Sequence, residues 1–196
     1  MYHYTMLQII LTSLLLGVGL AMDACAVSMA NGMKEPNMKI WKRIFIAFLF
    51  GLFQAVMPLI GYAIGSNTLT YISWIIPYIA LALLSFIGIK MLVEGIKHHK
   101  NKEEIDSKKL TIFVLLIQAI ATSIDALTVG FSVSNYTWPE ALICFGIIFL
   151  MTFAICIPAV FIGKKFGVKF GPKAEIAGGI ILIAIGLEIF ISGVFF

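Results

Sequence analysis

The sequence predicts an all-α integral membrane protein with six transmembrane helices in two inverted three-helix repeats. Three observations carry that fold class. Of 196 residues, 61% are hydrophobic and 12% charged, and mean hydropathy is +1.03; a soluble domain sits near about 45–50% apolar and about 25% charged. Six apolar runs fill the chain, each suited to a bilayer crossing of ~20 residues. The chain also matches itself at an offset of 102 residues. A soluble enzyme or nucleic-acid binder is excluded, because a core of this length cannot hide so much apolar surface. The net charge of +4 therefore belongs with a bilayer rather than with nucleic acid.

The runs lie at about 6–30, 43–65, 72–95, 110–133, 141–163 and 175–195, a single domain over 1–196. The first has no basic leader and no A-x-A end, so it reads as a retained span rather than a cleaved signal. Turn residues part the runs: Asn31-Gly32 with Pro36, Ser66-Asn67, the charged stretch 97–109, Asn135 to Pro139, and Gly171-Pro172. Each run suits a helix, because backbone groups in lipid must bond within their own segment.

Loop charge is one-sided. Lys34, Lys39, Lys42 and Arg43 fall in the first loop, Lys97, Lys100, Lys102, Lys108 and Lys109 in the third, and Lys164, Lys165, Lys169 and Lys173 in the fifth. The remaining basic residue, Lys90, lies inside the third run. The positive-inside rule puts the basic side in the cytoplasm and both termini outside. His98 and His99, flanked by lysines, read as a solvated face rather than a metal site. Cys25, Cys144 and Cys156 form no C-x-x-C pair and read as small apolar packing residues.

At offset 102, Leu20-Ala21-Met22-Asp23-Ala24 lies over Thr122-Ser123-Ile124-Asp125-Ala126, and Gly61 and Gly65 over Gly163 and Gly167; at offset 98, Gly88 and Gly95 lie over Gly186 and Gly193. Repeat one covers about 6–97 and repeat two about 109–196. Three spans per half make the second half run opposite to the first, an arrangement of secondary transporters with the substrate site near the midplane.

Asp23 and Asp125 are therefore the candidate site. A carboxylate at such depth costs roughly 2.5–3.5 kcal/mol and needs a cation, a proton or an ion. Gln118, Thr122, Thr128 and Ser132 share the Asp125 face by helical spacing, while Gly19, Ala26 and Ala30 make the Asp23 face small. Gln54 adds an amide oxygen in the second run. The metal set is Asp23, Asp125, Gln54 and Thr122, whose oxygens suit a hard divalent cation such as Mn²⁺ or Mg²⁺. Met22 reads as packing. Glu94 reads as the i,i+4 partner of Lys90, and Glu188 aligns with Lys90 at offset 98, with an ion pair between repeats as one reading and a role in transport as the other.

These residues also carry a resemblance. Gly19-Leu20-Ala21-Met22-Asp23-Ala24-Cys25-Ala26-Val27-Ser28 resembles the first signature of the manganese efflux pump family (MntP-type), related to the lysine exporter superfamily. Phe50 to Gly61, Ala121 to Gly130 and Lys173 to Gly179 are similar to its second, fourth and sixth helices. Cys25 stands where the family commonly has Phe, and Gln54 where some members have Glu. The resemblance implies a prokaryotic cytoplasmic-membrane exporter of Mn²⁺, with the family's two aspartates at Asp23 and Asp125. It implies no enzyme activity and no cofactor, since Mn²⁺ is cargo. No G-x-x-x-x-G-K-[ST] loop is present, so secondary transport is expected, with proton counter-transport as the coupling that carboxylates suggest. The alternative is an exporter of an amino acid or other small cationic solute. An intramembrane aspartyl protease lacks its G-x-G-D context here, and thiol transfer fails because Leu127 stands opposite Cys25 at offset 102.

Overall fold

The computed structural model describes residues 5–64, 76–101, 110–133, 135–170 and 172–195. Its elements are α1 (Met6–Lys34), α2 (Ile40–Ile64), α3 (Ile76–Asn101), α4 (Ile112–Thr122), α5 (Ala126–Ser132), α6 (Trp138–Phe170) and α7 (Pro172–Phe195). Among the described residues every regular element is helical. α1, α2 and α6 are long and apolar enough to cross a membrane, and α4 is a shorter apolar helix. The exterior is apolar, with Leu15 and Phe86 exposing 76% and 70% of their surface. A soluble protein does not present such a surface continuously; this is a helical membrane protein.

Helix ends follow local chemistry. Thr5 caps α1 by accepting from the Gln8 amide at 3.4 Å, and Gln8 Oε1 returns a bond to the Thr5 amide at 3.0 Å. Asn31-Gly32, expected as a turn, is helical, because α1 runs on to Lys34. Tertiary contact overrides the turn signal: Gly32 lies against the backbone of α6, and Asn31 Nδ2 donates to Gln118 Oε1 at 2.8 Å. α6 likewise outlasts its expected run of 141–163, and its 33 residues span ~50 Å, carrying Lys164, Lys165 and Lys169 past the apolar stretch. Ser66-Asn67, the start of the third run, Lys102 to Lys109, and the His98 and His99 side chains lie outside the described residues.

Two close-packed glycine clasps organise the bundle. A Cβ on Gly130 would meet the backbone of Pro58, Gly61 and Tyr62, and one on Gly32 the backbone of Val160, Gly163 and Lys164. In turn Gly61 lies on the Leu127 carbonyl and Gly163 on the Met29 carbonyl. Only glycine permits such backbone approach. The first clasp joins α5 to α2 and the second joins α1 to α6, each pair running parallel. α3 packs antiparallel on α7, with Gly88 facing Gly179 and Gly95 facing Ile176.

Charges gather at one end. Lys34 pairs with Glu94 at 3.2 Å, which ties α1 to α3; sequence spacing offers Lys90 as the partner of Glu94. Buried Glu35 accepts from Lys42 Nζ at 2.5 Å and from the Leu110 amide at 2.7 Å, tying the α1–α2 connection to the approach to α4. At the other end Tyr62 Oη donates to the Tyr136 carbonyl at 2.6 Å, and its ring meets Trp138 edge-on. One buried apolar cluster, with Ile46, Phe50, Leu115 and Met91, fills the charged half; another, with Ile9, Phe145 and Ile148, fills the aromatic half. They meet at the level of Leu20–Ala24 and Ala121–Ala126, where the polar residues lie.

Candidate ion-binding site

The fourth run is not one helix. α4 stops at Thr122 and α5 starts at Ala126, with Ser123, Ile124 and Asp125 in a turn. The cause is local. Thr122 Oγ1 donates to the Gln118 carbonyl at 2.9 Å, and Ser123 Oγ donates to the Ala119 carbonyl. Hydroxyls bonded back to the i−4 carbonyl bend helices. Asp125 then accepts the Ala126 amide, at the start of α5, on Oδ1 at 2.9 Å. At the matching positions α1 has Leu20, Ala21 and Met22, good helix formers without hydrogen-bonding groups, and it passes through Asp23 unbroken.

Gln54 joins the two segments. Its fully buried amide nitrogen donates to the Leu20 carbonyl at 3.0 Å and to the Thr122 carbonyl at 2.9 Å. Leu20 and Thr122 occupy the same place in the two matching pentapeptides, three residues before Asp23 and Asp125. Both nitrogen donors are thus used, which fixes the amide orientation, and Oε1 is buried with no hydrogen-bond partner. An orphaned buried acceptor costs about 1–3 kcal/mol and is satisfied when a cation or donor arrives. Asp23 and Asp125, both partly buried, are close enough to interact electrostatically. Asn31 meets Gln118 while Leu20 meets Thr122 through Gln54, so α1 and α4 cross antiparallel. Each aspartate lies one turn beyond Gln54 along its own chain direction.

Of the four residues singled out, Gln54 lies between the segments that carry Asp23 and Asp125, bonded to the carbonyl three residues before each. Thr122 joins them through its carbonyl, bonded to Gln54; its hydroxyl proton is committed to Gln118, which leaves the oxygen lone pairs. Gln118, on the same expected face, is spent on Asn31. Met22 is 67% exposed and faces outward, so it does not pack inside the bundle. Cys25, Cys144 and Cys156 are free thiols. Among the described residues no three His, Cys, Asp or Glu side chains form a ready-made metal cage. The oxygens here come from two carboxylates, one amide and the backbone. The carbonyls of Leu20 and Thr122 have no signature in the sequence, because every residue carries a carbonyl. Asn31 was hidden by its resemblance to a turn.

Fold and site together define a multi-span helical membrane protein with a polar, oxygen-rich centre between its helices. The chain belongs to the MntP family: the family model described as "Putative manganese efflux pump" matches residues 37–190. It is similar to the curated "Putative manganese efflux pump MntP" of Gloeothece citriformis, at 41% identity over 93% of this chain and 95% of the relative. Proteins of the same description from Clostridium botulinum (44% identity, 91% and 92% covered) and Campylobacter fetus (41%, 90% and 95%) are similar too. No solved structure matches.

Proposed function

We propose that the chain is a secondary transporter that exports Mn²⁺ from the cytoplasm, binding the ion between Asp23 and Asp125. One observation carries the site: the unpartnered, fully buried Oε1 of Gln54 lies on an amide held between the two aspartate segments. Two carboxylates balance a divalent charge, and neutral oxygens complete a hard-cation shell. On this reading the spans are α1, α2, α3, the α4–α5 pair, α6 and α7, in halves of about 6–97 and 109–196. The matching clasps support inverted halves, since α5 sits on α2 as α1 sits on α6. The polarity supports outward termini: Lys34, Glu35, Lys42 and Glu94 cluster at one end and the Tyr62–Trp138 aromatics at the other, as the positive-inside rule and interfacial aromatics suggest.

Transport then proceeds by rocking of the halves about the Gln54 bridge, with proton counter-transport resetting the emptied carboxylates. The test is expression in a manganese-sensitive host together with Mn²⁺ flux into inverted vesicles, with and without a proton gradient. Cell manganese should fall, and vesicle uptake should depend on both aspartates. Unchanged manganese beside exported lysine or another cationic solute would favour the wider exporter superfamily instead.

A further inference from the structure

A third acidic side chain lies near this centre, and neither the repeat motif nor the Gln54 bridge accounts for it. Glu188 sits in α7, seven residues before the helix ends at Phe195. Sequence alignment of the halves pairs it with Lys90, but the helix register separates them. Gly88 faces Gly179 and Ile183, and Gly186 faces Leu81 and Leu84. Glu188 and Lys90 therefore stand on the order of nine residues, ~13 Å, apart along the α3–α7 pair. Neither of the two ion pairs among the described residues involves Glu188.

The same register brings Glu188 to α1. A Cβ on Gly178 would touch Ala30 at 3.4 Å. α1 runs parallel to α3, since Lys34 meets Glu94 and Ala30 shares a layer with Met91, and so antiparallel to α7. Seven residues back along α1 from Ala30 is Asp23; seven residues on along α7 from Gly178 is Ile185. Glu188 lies one turn past that level, ~4.5 Å along the axis, on the side away from the Lys34–Glu94 pair. Asp23 and Glu188 interact electrostatically. Among the described residues the three acids do not form one cage; along the axis Glu188 on α7 falls near the level of Leu20, whose carbonyl Gln54 holds. An unpaired acid within an apolar helix is a functional residue by default.

We infer that Glu188 is the third carboxylate of the cation path, taking a divalent ion from the Asp23–Asp125 pair on the side of the bundle where the chain termini lie. This rests on the aspartate pair as the binding site. Two aspartates alone balance the ion and hold it; conduction also requires that the ion leave, and a neighbouring site of like charge lowers the cost of departure. Glu188 is exposed where the aspartates are partly buried, which suits a release position.

The experiment uses the full chain in proteoliposomes, with Mn²⁺ as probe, measuring both flux and equilibrium binding. Glu188→Gln should slow flux about tenfold while changing Mn²⁺ affinity less than threefold; Glu188→Asp, which keeps the charge, should retain at least half of the flux. Flux within twofold of wild type for Glu188→Gln overturns the inference. So does a Glu188→Asp defect equal to that of Glu188→Gln, which would trace the loss to packing. Asp23→Asn run in parallel separates the two levels: if it transports normally the aspartate site itself fails, whereas a dead Asp23→Asn beside an active Glu188→Gln sinks Glu188 alone.

Discussion

α1 and the α4–α5 segment carry the same pentapeptide pattern and fold differently. α1 passes through Asp23 as a continuous helix of 29 residues; its counterpart breaks at Ser123–Asp125 between helices of 11 and 7. The difference shows in register. The aspartates match at offset 102, yet the clasp contacts beyond them match at offset 98, with Met29 equivalent to Leu127 and Gly32 to Gly130. The second segment therefore reaches its clasp one helical turn sooner. Thr122 and Ser123 bond back to carbonyls where the segment bends, whereas Leu20 and Ala21 have no hydroxyl and α1 runs on. The two segments thus keep matching pairing contacts while giving their acids unequal surroundings: Asp23 projects from a continuous helix, and Asp125 sits in a break.

The largest expected effect breaks the pair itself. Asp23→Asn and Asp125→Asn should each lower Mn²⁺ export about a hundredfold, equivalent to ~2.7 kcal/mol, with membrane levels unchanged. Near-normal export by either variant, at confirmed expression, removes that residue from the site. The clasps come next. Gly130→Ala and Gly32→Ala put a methyl within 2.6 Å of the Tyr62 nitrogen and 2.9 Å of the Lys164 nitrogen respectively, and backbone cannot yield cheaply. Both should lower the detergent melting temperature by similar amounts, whereas Gly146→Ala, with nothing within 4 Å, should leave it unchanged or slightly raised. Unequal loss at Gly32 and Gly130 would break the equivalence of the clasps.

Gln54→Leu should follow. It deletes the oxygen offered to the ion and removes the donor to the Thr122 carbonyl at the helix break, a loss of about 1–3 kcal/mol. Melting temperature and Mn²⁺ binding should fall together, and normal binding in a destabilised protein would reduce Gln54 to a brace. The smallest effect sharpens the comparison. Thr122→Leu with Ser123→Ala gives the second segment the hydroxyl-free residues of the first, keeping Asp125. Export should fall several-fold with the melting temperature retained or raised. Wild-type flux would mean that the break is a packing feature and not part of transport.

The sequence by itself determined the membrane class, the apolar runs, the lopsided charge and the two aspartates. Each is a property of composition or of local spacing, which a linear pattern preserves. It also named Gln54 correctly as a buried polar group, since an amide inside an apolar run is conspicuous. Only the tertiary structure decided that Asn31-Gly32 continues a helix, because the backbone contact with α6 and the bond to Gln118 outweigh the turn preference of that dipeptide. Only it decided that Gln54 holds two carbonyls and leaves its oxygen free, since carbonyls are anonymous in sequence. And only the helix register separated Glu188 from Lys90 and brought it to Asp23. Alignment of repeats compares positions along the chain, whereas side-chain charges act across space, where packed glycines set how far each helix slides past its neighbour.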